Sequence, residues 1–222
     1  MKSIISRGGI EFLAVFLGIV LSLWVDDYRE DKELNERLME DYKKIYLEVN
    51  SNIINIENII SQNENYKENE ENLLKILNKE SSFNFGKVIS LIKSIDTPTF
   101  FGEETAYKSS VSSGRLNTSK NDLLTRQISL LYEHYFKRLE LNGDYLDKYM
   151  MNFTKDYAIV FNKARFNQND IDTLSLKNYF FSDTFHNGLL DLYDMRKNWY
   201  LLRLNDTKSQ LYKVKDYLIN FQ

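Results

Sequence analysis

The chain has 222 residues, 43% of them hydrophobic, enough for one medium domain with its own core. A formal charge of −3 and a pI near 5.6 exclude the basic footprint of a nucleic-acid binder. The absence of cysteine excludes disulfides, thiolate metal sites and a cysteine nucleophile, and a single proline with eight glycines leaves few turning points, so the expectation is an all-α fold.

The first predicted element is the apolar run Phe12 to Val25. Its 14 uncharged residues would make about 21 Å of helix, short of a hydrocarbon core of about 30 Å. Extension back through Ile10, Glu11 and Arg7 to Ile4 brings the length to about 33 Å. The run ends Leu23-Trp24-Val25-Asp26 with no small-residue cleavage site, which favours a retained anchor over a cleaved signal. The expected division is therefore a short tail at 1–9, a transmembrane anchor at 10–25 and a helical bundle domain at 26–222.

Within the anchor, Glu11, Ala14, Gly18 and Ser22 are spaced three, four and four apart and share one helix face. Small residues at such spacing let membrane helices approach closely, so these four form the expected membrane-helix interface. Two readings of Glu11 stay open: an acid shielded inside a helix contact, or one at headgroup level paired with Arg7. Arg7 and Trp24 are the expected interfacial anchors. The basic residues on the two sides, Lys2 and Arg7 against Arg29 and Lys32, are nearly balanced. A short leading tail favours the bulk domain outside, giving a single-pass protein of a bacterial inner membrane with a periplasmic bundle, the cytoplasm being the alternative.

Beyond Trp24, Leu38, Tyr42, Ile45, Val49, Asn52, Ile56 and Ile59 recur at fours and threes, an amphipathic stripe continuous with the anchor. Asn52 and Asn63 lie in or near this seam. Two shorter helical stretches come next, SSFNFGKVISLIKSID and TPTFFGEETAYKSSVSSG, the latter closed by Gly114. Ser119 to Asp122 has the form of a capping box ahead of a long apolar stripe from Leu124 to Val160, with Gly143 as a candidate kink. A polar break at 167–173 leads to a last long helix, with the region of Asp183 and Gly188 as candidate dividing points. Three long helices with apolar stripes satisfy one another by packing side by side, so the expected architecture is an elongated antiparallel bundle of three long helices plus two short ones.

Two blocks, EFLAVFLGIVLSLWVDDYREDKE and TPTFFGEETAYKSSVSSGRLNTSKNDLLTRQISLLYEHY, resemble a family of uncharacterised small membrane proteins common in Bacteroidota. Glu11 and Trp24 match its acidic-headed anchor, and Tyr107, Ser113, Gly114, Leu116, Leu123, Tyr132 and Tyr135 match its helical domain. Asn117-Thr118 departs from the pattern where an apolar residue is expected. The resemblance implies an anchor and a helical domain and carries over no catalytic residue.

The chemistry-bearing residues are sparse. His134 and His186 sit in no ligand spacing, Ser112-Ser113-Gly114 reads as a helix end rather than a nucleophile elbow, and the acidic run 64–71 reads as a solvated face. No catalytic residue, metal site or cofactor is expected, and the chain is not expected to be an enzyme. The aromatics of the last two long helices exceed what a core needs, so a few of them should mark a protein-binding face or a small-ligand cleft. The expected function is a membrane-anchored scaffold or accessory subunit acting through protein–protein interaction. Its expected partners are the lipid bilayer and either a second copy or another membrane protein. The alternative is a ligand-sensing module signalling through a partner.

Overall fold

The computed structural model describes the backbone of residues 2–166 and 171–221, with side chains from Phe12 onward. Among the described residues all regular structure is helical. Helix α1 spans Lys2–Leu77, 76 residues without a break, because no proline occurs in it and its apolar stripe keeps helical period. The expected tail at 2–9 is thus helical backbone continuous with the apolar run. Leu38, Tyr42, Ile45, Val49, Ile53 and Ile56 are buried as the stripe predicts. The first buried residue is Leu38, and residues 12–33 form an exposed helical arm, so the packed bundle begins later than residue 26.

Among the described residues no helix is long and apolar enough to cross a membrane. The physical reason lies in the sequence: the uncharged run closes at Asp26 and Asp27 after 14 residues. The side chains of Arg7, one of the two expected anchors, and Glu11, one of the four expected interface residues, lie outside the described residues.

After α1 come α2 (Phe85–Lys93), capped by the Asn84 side chain on the Lys87 amide, and α3 (Thr105–Ser112). Residues 95–104 between them are extended, not helical as the second short stretch was expected to be. Pro98 pushes the preceding residue out of the helical region, and Thr97, Thr99, Phe100 and Phe101 favour an extended chain. This strap runs back along α1: Pro98 meets Asn63, Phe101 meets Asn55, and Ala106 meets Glu48. From Pro98 to Glu103 five residues of strap cover the eleven of helix from Asn63 to Asn52, as rises of about 3.3 and 1.5 Å require.

Gly114, at φ 74°, ends the descent in the left-handed conformation that glycine adopts without a Cβ penalty. Asn121, rather than Ser119, caps the next helix, accepting from the Leu124 amide; Ser119 Oγ instead accepts from the Asn121 amide and pairs with the Tyr42 hydroxyl at 2.6 Å. From there α4 (Asp122–Leu130), a π-helical turn (Leu131–Phe136) and α5 (Lys137–Arg165) form one rod. Gly143 causes no break in it; a Cβ there would lie 3.3 Å from Thr99, so its smallness seats the strap.

The polar break at 167–173 lies largely outside the described residues. Helix α6 (Thr173–Phe180) is a further short helix, and Ser182 caps α7 (Asp183–Asp194). A second π-helical turn (Met195–Tyr200) joins α7 to α8 (Leu201–Leu218). Gly188 lies inside α7 and does not divide it; a Cβ there would fall 2.7 Å from the Phe153 ring.

The α7–α8 rod runs antiparallel to α1, as the pairs Tyr42/Phe221, Glu57/Tyr212 and Glu70/Arg196 establish. The α4–α5 rod runs parallel to α1, with Tyr42 beside Ser119 and Glu48 beside Tyr132. The expected all-antiparallel order is corrected here: the strap and α3 return the chain to its starting end before the second rod begins.

Arg196 is the largest fully buried side chain. Its Nε donates to both Glu70 oxygens at 3.0 Å and its Nη2 donates to Glu70 at 2.8 Å, while the remaining donors serve Asn63 Oδ1 and the Asp96 carbonyl. Arg196→Met leaves the Glu70 carboxylate buried without its cation and should cost about 3–5 kcal/mol. In urea denaturation the double change Arg196→Met with Glu70→Leu should be more stable than the single one, because the second change removes the stranded charge.

A second pair, Asp41 with Arg115, joins α1 to the turn after α3 through contacts of 2.7 and 3.1 Å. Burial alone would raise the Asp41 carboxyl, but the Arg115 hydrogen bond and charge outweigh it and hold it below its ordinary 3.8. The folded carboxyl is the more acidic one, so its stabilisation is present above the unfolded value and is lost as pH falls through the folded value. The stability gap between the native chain and Asp41→Asn should therefore be open at about pH 6 and shrink toward about pH 3.

Candidate functional site

The strap is an extended segment without a neighbouring strand, so its backbone groups are bonded by side chains from α1 and the last rod, while α5 holds two of its side chains. Asn52 brackets Glu103, donating to its carbonyl and accepting from its amide, both at 2.8 Å. Asn55 and Asn63 donate to the carbonyls of Phe101 and Pro98. The Phe100 amide donates to the Tyr200 hydroxyl at 2.8 Å, and the Thr97 and Thr99 hydroxyls donate to Asp147 at 3.0 and 3.2 Å. Asn52 and Asn63, read in the sequence as seam residues, thus hold a segment rather than a helix register.

Each π-helical turn supplies a pair of residues four apart to this assembly. Arg196 and Tyr200 hold the strap at Asp96 and Phe100. Tyr132 and Phe136 hold its other end: Phe136 packs edge-on against Phe100 at 5.3 Å, and a Cβ on Gly102 would collide with the Phe136 ring. Tyr132 donates to Glu48 at 2.8 Å and stacks on Tyr107 at 4.3 Å. Glu48 also accepts the amides of Ala106 and Tyr107, which makes it the cap of α3. Burial pushes the Glu48 carboxyl up despite these three donors, and burial together with the Glu48 charge pushes the Tyr132 hydroxyl up. All of this carboxylate's partners are structural.

On the outer side of the second π-helical turn, Tyr145 of α5 and Trp199 stack at 6.5 Å with 57% and 54% of their surface exposed. With Leu141, Leu146, Met195 and Tyr200 they line an aromatic groove of about 260 Å³, and Leu202 adds an exposed side chain on the same helix surface one turn on. Of the other aromatics in these rods, Tyr132, Phe136, Phe153, Tyr157 and Tyr200 are buried, and Tyr135 and Tyr149 are half-buried. Tyr145 and Trp199 are the exposed pair of these rods, Phe166 at the end of α5 and Tyr212 of α8 being exposed elsewhere. Tyr145 follows the first π-helical turn and Trp199 lies in the second, and each turn shifts the phase of the residues after it, so unbroken helical spacing does not mark the pair.

Among the residues expected at a membrane-helix contact, Ala14, Gly18 and Ser22 are exposed on α1, and no atom lies within 4 Å of a Cβ built on Gly18. Trp24 is exposed and stacked on Tyr28 at 6.2 Å. Of the residues in the resemblance, Tyr107 meets Tyr132, Gly114 makes the left-handed turn and Leu116 is buried, while Leu123 is exposed. Among the described residues no group of three His, Asp or Glu side chains could hold a metal ion.

The chain belongs to the family described as a family of unknown function (DUF6090), whose model matches residues 11–183. No curated protein and no solved structure matches it. The family match spans the arm, the strap and the α5 side of the groove; Arg196, Trp199 and α8 lie beyond it.

Gly102→Ala should destabilise by about 1–3 kcal/mol, because the buried Phe136 ring must move to admit the new methyl group. Gly86→Ala is the matched control. Its Cβ would make an ordinary 3.5 Å contact inside α2, so it should be neutral or stabilise by up to about 1 kcal/mol in the same urea titration.

Proposed function

We propose that this protein is a membrane-anchored helical scaffold or accessory subunit, with the arm of α1 inserted in a bacterial inner membrane and the aromatic groove holding a partner protein. The observation that carries the reading is the arm itself. From Phe12 to Val25 every side chain is exposed and eleven of the fourteen are large and apolar, spread round all faces of the helix. A helix apolar all round needs an apolar medium rather than one complementary groove. The helical backbone from Lys2 to Val25 is about 36 Å long, enough for a hydrocarbon core of about 30 Å.

Self-association through Ala14, Gly18 and Ser22 fits the same picture, with Glu11 at the head of the stripe. Leu47 and Ile54 are exposed apolar residues on the bundle part of α1. They stand 29 and 36 residues after Gly18, close to eight and ten whole helical turns, so an unbroken α1 presents all three on one face. Arg7 and Trp24 bound the inserted segment, and the bundle faces the periplasm.

Gly18→Leu should abolish a membrane-dependent cross-link between copies. The new side chain has room within a single chain, so the loss would report a neighbouring helix, and Leu17→Ile should leave the cross-link intact. Trp199→Ala should remove a co-purifying partner while changing stability by no more than about 1 kcal/mol, given its exposure. Alkaline phosphatase fused after Gln222 should be active; an inactive fusion would put the bundle in the cytoplasm.

A further inference from the structure

A second opening, separate from the aromatic groove, lies where the end of α2 and the start of the strap face α5. Its volume is about 800 Å³, within the range of sites that hold small molecules. Tyr157 lines it, is 0% exposed, and has its ring fixed by edge contacts with Phe153, Phe161 and Phe185. The Tyr157 hydroxyl is buried and has no hydrogen-bond partner. Phenylalanine would fill the same space without stranding a donor, so a tyrosine here is costly unless an acceptor reaches it.

The charges in the lining indicate what kind of acceptor. Arg165 lays its guanidinium over the Tyr157 ring at 5.8 Å, and Lys155 lines the same opening. The two acids of the lining already have donors: Asp147 takes the hydroxyls of Thr97 and Thr99, and Asp96 takes the Thr97 amide. Met150 and Met151 supply an adaptable apolar wall on α5. We infer that this cleft binds a small organic acid with a short apolar tail, its anionic head on the Tyr157 hydroxyl and Arg165 and its tail against the two methionines.

The occupant is a free molecule rather than the headgroup of a bilayer lipid, whatever covers the arm. Tyr66, which also lines the cleft, stands about 60 Å along α1 from Val25.

Hexanoate is the probe and hexanamide its uncharged control, with the full chain in discs of zwitterionic lipid and methionine methyl groups labelled with carbon-13. Hexanoate should shift the Met150 and Met151 signals saturably and leave Met39 in place, and hexanamide should not do so at the same concentrations. Tyr157→Phe and Arg165→Gln should each raise the hexanoate midpoint roughly tenfold, and Tyr157→Phe should leave the unfolding temperature unchanged or higher. The inference is overturned if hexanoate moves neither signal, if hexanamide titrates equally well, or if either variant titrates like the native chain.

Discussion

The buried guanidinium of Arg196 is the constraint on which the rest of the structure depends. It touches both α1, through Glu70 and Asn63, and the strap, through the Asp96 carbonyl, while itself belonging to the last rod. A planar cation with five donors in a fixed fork can grip a carboxylate with two nitrogens and serve two further acceptors at once, four bonds that lysine's three donors could not make. Taking that charge and Glu70 out of water is expensive and is offset by the hydrogen bonds that all three guanidinium nitrogens make. The arrangement therefore specifies a single register: any slip of α8 along α1 would strand a carboxylate, an amide and a backbone carbonyl together.

The two π-helical turns belong to the same solution. A π-helical turn interrupts the regular hydrogen-bond ladder and persists where tertiary contacts compensate. Here both are compensated by the strap, and both place a residue against a buried carboxylate of α1, Tyr132 on Glu48 and Arg196 on Glu70. The strap thus serves as a fourth structural layer without a strand partner, using the helices' polar side chains where a sheet would use a neighbouring backbone.

Much of this was legible in sequence, and the parts that were not share a cause. The stripe from Leu38 to Ile56, the stop at Gly114 and the long apolar run after Leu124 come from local periodicity, and the fold contains them. The strap was hidden because a short apolar run between capping residues is compatible with either conformation; the signal that could have found it is Thr97-Pro98-Thr99-Phe100-Phe101, β-branched and aromatic around a proline. The parallel course of the first two rods was hidden for the same reason, since an extended connection reaches twice as far per residue as a helical one. Arg196 was invisible because an arginine amid Asp194, Lys197 and Asn198 reads as surface. Its polar partners stand 100 to 133 residues away in sequence, and those contacts make it core. The groove was half legible: an aromatic surplus could be counted, but which residues were surplus depended on the phase shifts at the two π-helical turns.

The continuity of α1 ties the arm to the groove. Glu70 and Asn63 fix the second π-helical turn to the distal part of α1, so Trp199 stands near that level, about 60 Å along the helix from Val25. An arm joined to its domain by a flexible linker would leave the domain's height and orientation free. This one has no proline between arm and core, and i to i+4 ion pairs such as Arg29 with Glu33 lie on the exposed stretch between them. With the arm in a bilayer, the groove would be held at a set distance from the surface and at a set angle about the helix axis. That geometry suits capture of a partner whose binding surface lies well above the membrane, and it gives a reason for a single helix of 76 residues in a bundle that uses fewer than half of them for packing.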